Sequence, residues 1–254
     1  TLLLMALTPE ERHRLGAHYT PPSYVERLVV PAVIEPLKAE WEAVAESAMS
    51  DVAERDFEAA KAKIAAFHHR LSTVVVLDPS CGSGNFLTVT MNLLKDLEGE
   101  VVQALRDLGK LPREFAGDGY AVSPQQFRGI EAVPRAAAVS ELLLQLAYLQ
   151  RHFKIHGGVN PPEPILREDR SVECRDAVLA WDGDTPRQAD PWPDCEFIVG
   201  NPPFIGNHKM RSVLGDKYVD ALFKVYPSFF RGSDYVMFWW HRSAELVRQG
   251  KVKR

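Results

Sequence analysis

Residues 73–105 read "TVVVLDPSCGSGNFLTVTMNLLKDLEGEVVQAL". A β-branched run ends in an acid, a glycine-rich turn follows, and a pattern of helical period begins at once. This is a strand, a tight turn and a helix. The texture returns downstream. "FRGIEAVPRAAAVSELLLQLAYLQRHF" (127–153) is a short strand, an acid and a helix; "ILREDRSVECRDAVLAW" (165–181) is a third strand and turn; "CEFIVGNPPF" (195–204) is a fourth strand and loop. "SDYVMFWWHRSAELVRQG" (233–250) is a helix closed by Gly250. Strands alternating with helices predict an α/β fold, a parallel sheet flanked by helices on both faces.

Upstream of the first strand the pattern is helical. Thr20 before Pro21 and Pro22 reads as a capping hydroxyl with proline in the first turn. Tyr24 and Leu28, with Val25 and Val29, then give one apolar face that Pro31 and Pro36 interrupt. From Leu37 to about Arg70, Trp41, Val44, Ala48, Val52, Ile64 and Phe67 recur among charges, as in a long scaffold helix or helix pair. His68 and His69 at its end read as solvated residues of a last turn. The division is an N-terminal helical segment (1–72) and an α/β core (73–254). "GGVNPPEP" (157–164) and "WDGDTPRQADPWPD" (181–194) read as surface loops, and 106–127 as an insertion.

The 254 residues are 46% hydrophobic and 25% charged, the balance of an ordinary globular protein, and no apolar run approaches the roughly 20 residues that span a bilayer. Cys81, Cys174 and Cys195 are widely separated, which suggests neither a zinc site nor a disulfide framework and fits a reducing, cytoplasmic setting. A net charge of −4 does not announce a nucleic-acid binder, so any such contact needs a local patch. The first residue is Thr1 rather than Met, and the chain reads as a piece of a longer polypeptide.

The turn Asp78–Phe86 contains Gly82-Ser83-Gly84 but neither a full dinucleotide fingerprint nor a P-loop lysine. Asp78 would repel a pyrophosphate and suits a ligand bearing an ammonium group. Read alone, the turn could equally be a purely structural strand-to-helix connection. Glu131, at the end of the second strand, stands where acids hold ribose hydroxyls, although it follows Gly84 by 47 residues rather than the usual 20 or so. An acid at a strand end can also be merely solvated. Together, an ammonium-binding acid and a ribose-binding acid describe S-adenosylmethionine.

"LDPSCGSGNFL" and "IVGNPPF" in this order resemble the cofactor and catalytic motifs of N6-adenine DNA methyltransferases, and "LGAHYTPPSYVERLV" resembles the further cofactor motif that precedes them in the γ-type order. "GIEAVPRAAAVSELLLQLAYLQ", "VECRDAVLAW", "GDKYVDALF" and "SDYVMFWWHRSAELV" are similar to blocks of large bacterial restriction–modification and phage-defence methylases. The resemblance covers most of residues 14–250. It implies a Rossmann-like class I methyltransferase fold and a bacterial, cytoplasmic enzyme. Tyr19, Thr20 and Pro21 would close over the methionine end of the cofactor. Asp78 would face its amino group, with Ser80, Cys81, Gly82 and Gly84 beside it. Glu131 would take the ribose hydroxyls, Ala132 would lie against the adenine ring, and Asp176 would accept from its amino group. Asn201, Pro202, Pro203 and Phe204 would hold a flipped adenine of double-stranded DNA. His208, Lys209, Arg211 and Lys217 in "GNHKMRSVLGDKY" are the candidate phosphate contacts, and no metal is implied.

The resemblance leaves methylation of RNA bases or of a protein glutamine open, and also a non-catalytic cofactor-binding module of a defence complex. It further implies that strands beyond Arg254 and a target-recognition domain belong to the same polypeptide, so that the sheet is incomplete here and the fragment alone has low activity or none.

Overall fold

A computed structural model describes residues 20–109, 121–156, 170–227 and 232–254. Four strands form a parallel sheet: β1 (Val76–Asp78), β2 (Phe127–Glu131), β3 (Val172–Cys174) and β6 (Phe197–Ile198), in the order β3-β2-β1-β6. Val76 is in register with Phe127 on one side and Phe197 on the other. Because side chains alternate along a strand, these three share one face while Leu77 and Ile198 take the opposite one. Each face carries its own core. Val76, Phe127, Val172 and Phe197 pack with the helices α1 (Pro22–Val29), α2 (Glu35–Ala53), α3 (Phe57–Thr73) and α4 (Asn85–Asp107), together with α5 (Pro134–His156). Leu77 and Ile130 pack with α6 (Asn207–Leu214), α7 (Asp216–Val225) and α8 (Met237–Arg248). The architecture is the Rossmann-like one expected. The chain's last residues run along the outer side of β6, where Lys253 N–H donates to Glu196 C=O and Ile198 N–H donates to Arg254 C=O, each at 2.9 Å.

The N-terminal helices depart from the sequence expectation in three respects. The cap of α1 is Pro21, with no side-chain capping bond, so Thr20 is not a helix cap. The buried face is Val25, Val29, Val33 and Leu37, whereas Tyr24 and Leu28 are 59% and 57% exposed. The prolines do not interrupt the path either. A π turn over Val30–Ile34 carries it into α2, and a turn whose bonds reach back five residues accommodates the donor that Pro31 lacks. The segment 37–70 resolves into α2 and α3, joined near Arg55, whose φ is +64°.

Two further expectations are corrected. Residues 181–194 are not simply a loop, because β4 (Leu179–Asp182) and β5 (Thr185–Gln188) form an antiparallel hairpin turning at Gly183. His68 is buried, not solvated, and lies 3.3 Å from Glu98 Oε1. Glu98 also accepts from Lys95 Nζ at 2.7 Å and from the Val122 N–H at 2.7 Å. Lys95 lies over the Tyr148 ring, 5.0 Å from its centroid. Burial alone would raise the Glu98 carboxyl, but the His68 hydrogen bond and the Lys95 charge outweigh it and bring it from 4.5 down to about 2. The segment 157–164 lies outside the described residues, as does 110–120 of the expected insertion.

Replacing Glu98 with Gln would leave the Lys95 charge buried without its counter-charge, at a cost of about 3–5 kcal/mol. Urea denaturation at pH 7 should show that loss. The Glu98 contribution is fully present above pH 4.5 and disappears as pH falls toward 2, so the difference between variant and parent should shrink over that interval.

Candidate active site

The strands end on one side of the sheet at a cavity of about 420 Å³, within the range of roughly 300–1,000 Å³ usual for small-molecule sites. The glycine-rich turn forms one wall. Gly82 and Gly84 have φ of +56° and +79°, and a Cβ on Gly84 would stand 2.3 Å from Ser140 Oγ of α5. A side chain there would be strained by the positive φ and would force the Ser140 hydroxyl to move. The turn is fastened to the next strand twice: Cys81 N–H donates to Ile130 C=O at 3.1 Å, and Gly82 N–H donates to Glu131 Oε2 at 2.9 Å. The other oxygen of Glu131 accepts from Val133 N–H at 2.8 Å. A carboxylate offers about four lone-pair directions, so Glu131, which lines the cavity, keeps acceptor capacity beyond these two bonds.

Asp78 forms the cavity floor and is 1% exposed. Its Oδ1 accepts from Ser80 N–H at 3.0 Å. Burial pushes its carboxyl from 3.8 up to about 7; the Ser80 N–H opposes the rise and the neighbouring Glu131 charge adds to it. Glu131 itself is raised by burial against the pull of the Val133, Gly82 and Ala132 N–H groups. Among the described residues, no cationic side chain forms an ion pair with either acid. Arg175 also lines the cavity, but its ion pair is with Glu173 at 2.6 Å.

Asp176 closes the third side. Its Oδ1 accepts from Val178 N–H at 2.7 Å and Leu179 N–H at 3.2 Å, turning the chain into the β4–β5 hairpin. Its Oδ2 accepts from Tyr218 O–H at 2.6 Å, and Tyr218 is linked in turn to the Tyr235 hydroxyl at 2.7 Å. Burial first, then the neighbouring Tyr235 and Asp176, raise the Tyr218 phenol far above its ordinary value. Tyr218, Tyr235 and Trp239 all line the cavity, and Trp239 Nε1–H donates to Pro79 C=O at 3.0 Å. Sequence reasoning missed these three. They lie in blocks that mark the family resemblance, but nothing in their spacing reveals that Tyr218 reaches an acid 42 residues earlier.

The loop after β6 completes the rim. Asn201 and Pro203 line the cavity, and Phe204 is 70% exposed, not a core aromatic. Gly200 permits this approach, since a Cβ there would stand 2.5 Å from Asp78 Oδ1. Beyond the loop, Asn207 N–H donates to Asp234 Oδ1 and Tyr235 N–H donates to Ile205 C=O, tying the loop to the start of α8. Thr20 also lines the cavity, and its Oγ1 accepts from Asn201 Nδ2 at 3.1 Å. The structure thus brings Thr20, Asp78, Ser80, Cys81, Gly82, Glu131, Ala132, Asp176, Asn201 and Pro203 to one cavity. Gly84 shapes the turn from behind it, Pro21 caps α1 and Tyr19 lies outside the described residues.

The basic candidates separate. His208 and Lys209 are exposed on α6, which is a helix where a loop was expected. Arg211 is engaged within the chain, by Asp216 at 2.8 Å and Asp220 at 2.7 Å. Lys217 lies 3.5 Å from Asp184 and over the Trp181 ring. No group of metal-ligating side chains and no helix long and apolar enough to cross a membrane occurs among the described residues.

Residues 54–254 match the family described as MmeI, DNA-methyltransferase domain. The chain belongs to this family. It is 25% identical over 260 residues to DNA methyltransferase A of Bacillus subtilis, covering 99% of this chain and 27% of that protein. A putative type II restriction enzyme and methyltransferase of Methanocaldococcus jannaschii is 23% identical over 190 residues, which is 70% of this chain and 16% of that protein. The solved structure of the type IIL restriction–modification enzyme MmeI in complex with DNA superposes with a TM-score of 0.73 at 26% identity, over 98% of this chain and 31% of that one. The chain thus spans about a quarter to a third of the two longest-matching relatives and corresponds to a restriction–modification DNA methyltransferase core. Membership of the MmeI methyltransferase family implies a methyl donor.

The native state keeps its proton on Asp78 up to about pH 7, whereas an unfolded chain releases it near 3.8, so stability falls as pH rises between these values. An Asp78→Asn variant escapes this penalty. Without ligand it should melt at a higher temperature than the parent at pH 8, and the gap should close at pH 4; thermal melts across that range test it.

Proposed function

We propose that this domain transfers a methyl group from S-adenosylmethionine to the exocyclic N6 amino group of an adenine flipped out of double-stranded DNA, within a restriction–modification or phage-defence system. The observation that carries the proposal is that Asn201 and Pro203 of the Asn-Pro-Pro-Phe loop line the same cavity as Asp78 and Glu131.

The donor set suits this cofactor. Asp78, buried and without a cationic partner among the described residues, would be returned to its ionised form by an ammonium group. Glu131 has acceptor capacity left for vicinal hydroxyls. Asp176, its oxygens already held by two N–H groups and a phenol, would accept from an amino group. Ala132 offers an apolar contact to an aromatic ring, and Thr20 lines the cavity beside Asn201. S-adenosylmethionine supplies an activated methyl on a sulfonium; the rest of the chemistry falls to the protein.

An adenine amino group is a weak nucleophile because its lone pair is delocalised into the ring. The Asn201 side-chain carbonyl and the Pro202 backbone carbonyl can accept its two N–H bonds, which drives the nitrogen toward a tetrahedral form and frees the lone pair. The prolines contribute no competing N–H. A neutral amide orients the nitrogen and stabilises developing charge without removing a proton early. A base inside a duplex cannot reach this rim, and the exposed Phe204 ring offers a face on which an extruded one would stack. Lys209 and His208, exposed on the helix that follows, are the candidate phosphate contacts, whereas Arg211 would first have to leave two carboxylates.

An Asn201→Ala variant tests the proposal. Calorimetry should show S-adenosylmethionine binding as in the parent, while methyl transfer to DNA falls by about 100-fold or more. Transfer surviving at the parental rate would refute the role of the loop.

A further inference from the structure

Thr20 stands where three elements meet. Its backbone carbonyl accepts from Asn85 Nδ2, at the first residue of α4 just after the glycine-rich turn. Its hydroxyl Oγ1 accepts from Asn201 Nδ2, across 181 residues of sequence. The N-terminal segment was expected to serve the cofactor, yet a side-chain bond from it falls on the loop residue proposed to receive the target base.

A side-chain amide has a carbonyl acceptor at one end and an NH2 donor at the other, and the terminal torsion of asparagine is broad and roughly two-fold. Asn201 is exposed, so burial does not settle which end faces the cavity. The choice matters for the chemistry. A target amino group brings two N–H donors, so the carbonyl end accepts from it, while the NH2 end meets it donor to donor.

We propose that Thr20 is a positioning residue for Asn201: its hydroxyl holds the NH2 end of the amide against the start of α1, so that the carbonyl is the end presented to an incoming amino group. The inference rests on the role given to Asn201 above. Asn85 fixes the Thr20 backbone, so the wall that shapes the cofactor turn also sets the orientation of the catalytic amide. One neutral hydrogen bond biases the two orientations by on the order of tenfold.

Thr20→Val keeps the shape of the side chain and removes the hydroxyl. In the protein at its full encoded length, kcat for methyl transfer to DNA should fall about tenfold while the S-adenosylmethionine Kd from calorimetry stays within about twofold of the parent. Thr20→Ser should restore kcat, and in an Asn201→Ala background the valine should have no further effect. A Thr20→Val variant with parental kcat overturns the inference. So does one in which Kd rises while kcat holds, which would make Thr20 a cofactor contact only. Should the valine variant fail to fold, Thr20→Ala is read by the same criteria. A parent protein that transfers no methyl to adenine rejects the reading of Asn201 itself, and the positioning role falls with it.

Discussion

The close approach of the Asp78 carboxylate to the backbone at Gly200 is the constraint on which the site depends. With no Cβ at Gly200, the chain just after β6 comes within side-chain distance of an acid at the end of β1, and the Asn-Pro-Pro-Phe loop begins one residue later. The juxtaposition follows from the sheet. β1 and β6 are parallel neighbours in register from Val76 and Phe197, so their carboxyl ends must open on the same side, where open α/β sheets place their ligands. The arrangement is costly without a ligand, because a buried carboxylate with no cationic partner favours its neutral form. A cationic ligand reverses that cost, so part of the fold's stability is deferred until the site is filled.

The remaining walls are secured by hydrogen bonds that do double duty. Glu131 fixes the glycine-rich turn through Gly82 and its own loop through Val133, and it also lines the cavity. Asp176 starts the hairpin through Val178 and Leu179 and is held from the far side by Tyr218. Each acid is thus oriented before any ligand arrives, which lowers the ordering cost of binding. Tyr218 on α7 and Tyr235 in the turn before α8 both follow the Asn-Pro-Pro-Phe loop, so the acids and that loop share one scaffold.

Much of the fold was legible in the sequence. The run at 73–105 specified a strand, a turn and a helix because β-branched residues, paired glycines and helical periodicity each act locally. The acids at 78 and 131 could be named because they stand at strand ends, which converge in a parallel sheet, whereas Asp176 and the Asn-Pro-Pro-Phe loop are named through the family resemblance. The errors have a common physical origin. Tyr24 and Leu28 were read onto the buried face because a short amphipathic helix can be rotated by one residue with little change in pattern, and only packing against α4 selected Val25 and Val29. His68 looked like an exposed last-turn residue until α4 brought Glu98 to it. Arg211 and Lys217 looked free for phosphate until Asp216, Asp220 and Asp184 came within reach.

The sequence by itself determined the succession of elements, the conformations that glycine and proline impose, and the chemical groups available for a methyl-transfer site. Those are properties of short stretches of chain, set by backbone sterics and side-chain period. Only the tertiary structure decided how the groups face one another: Asp78 against Gly200, Tyr218 on Asp176, and Thr20 holding the NH2 of Asn201. Those pairings join residues tens to hundreds of positions apart, and they exist only where the sheet order and the packing of helices on both its faces bring them together.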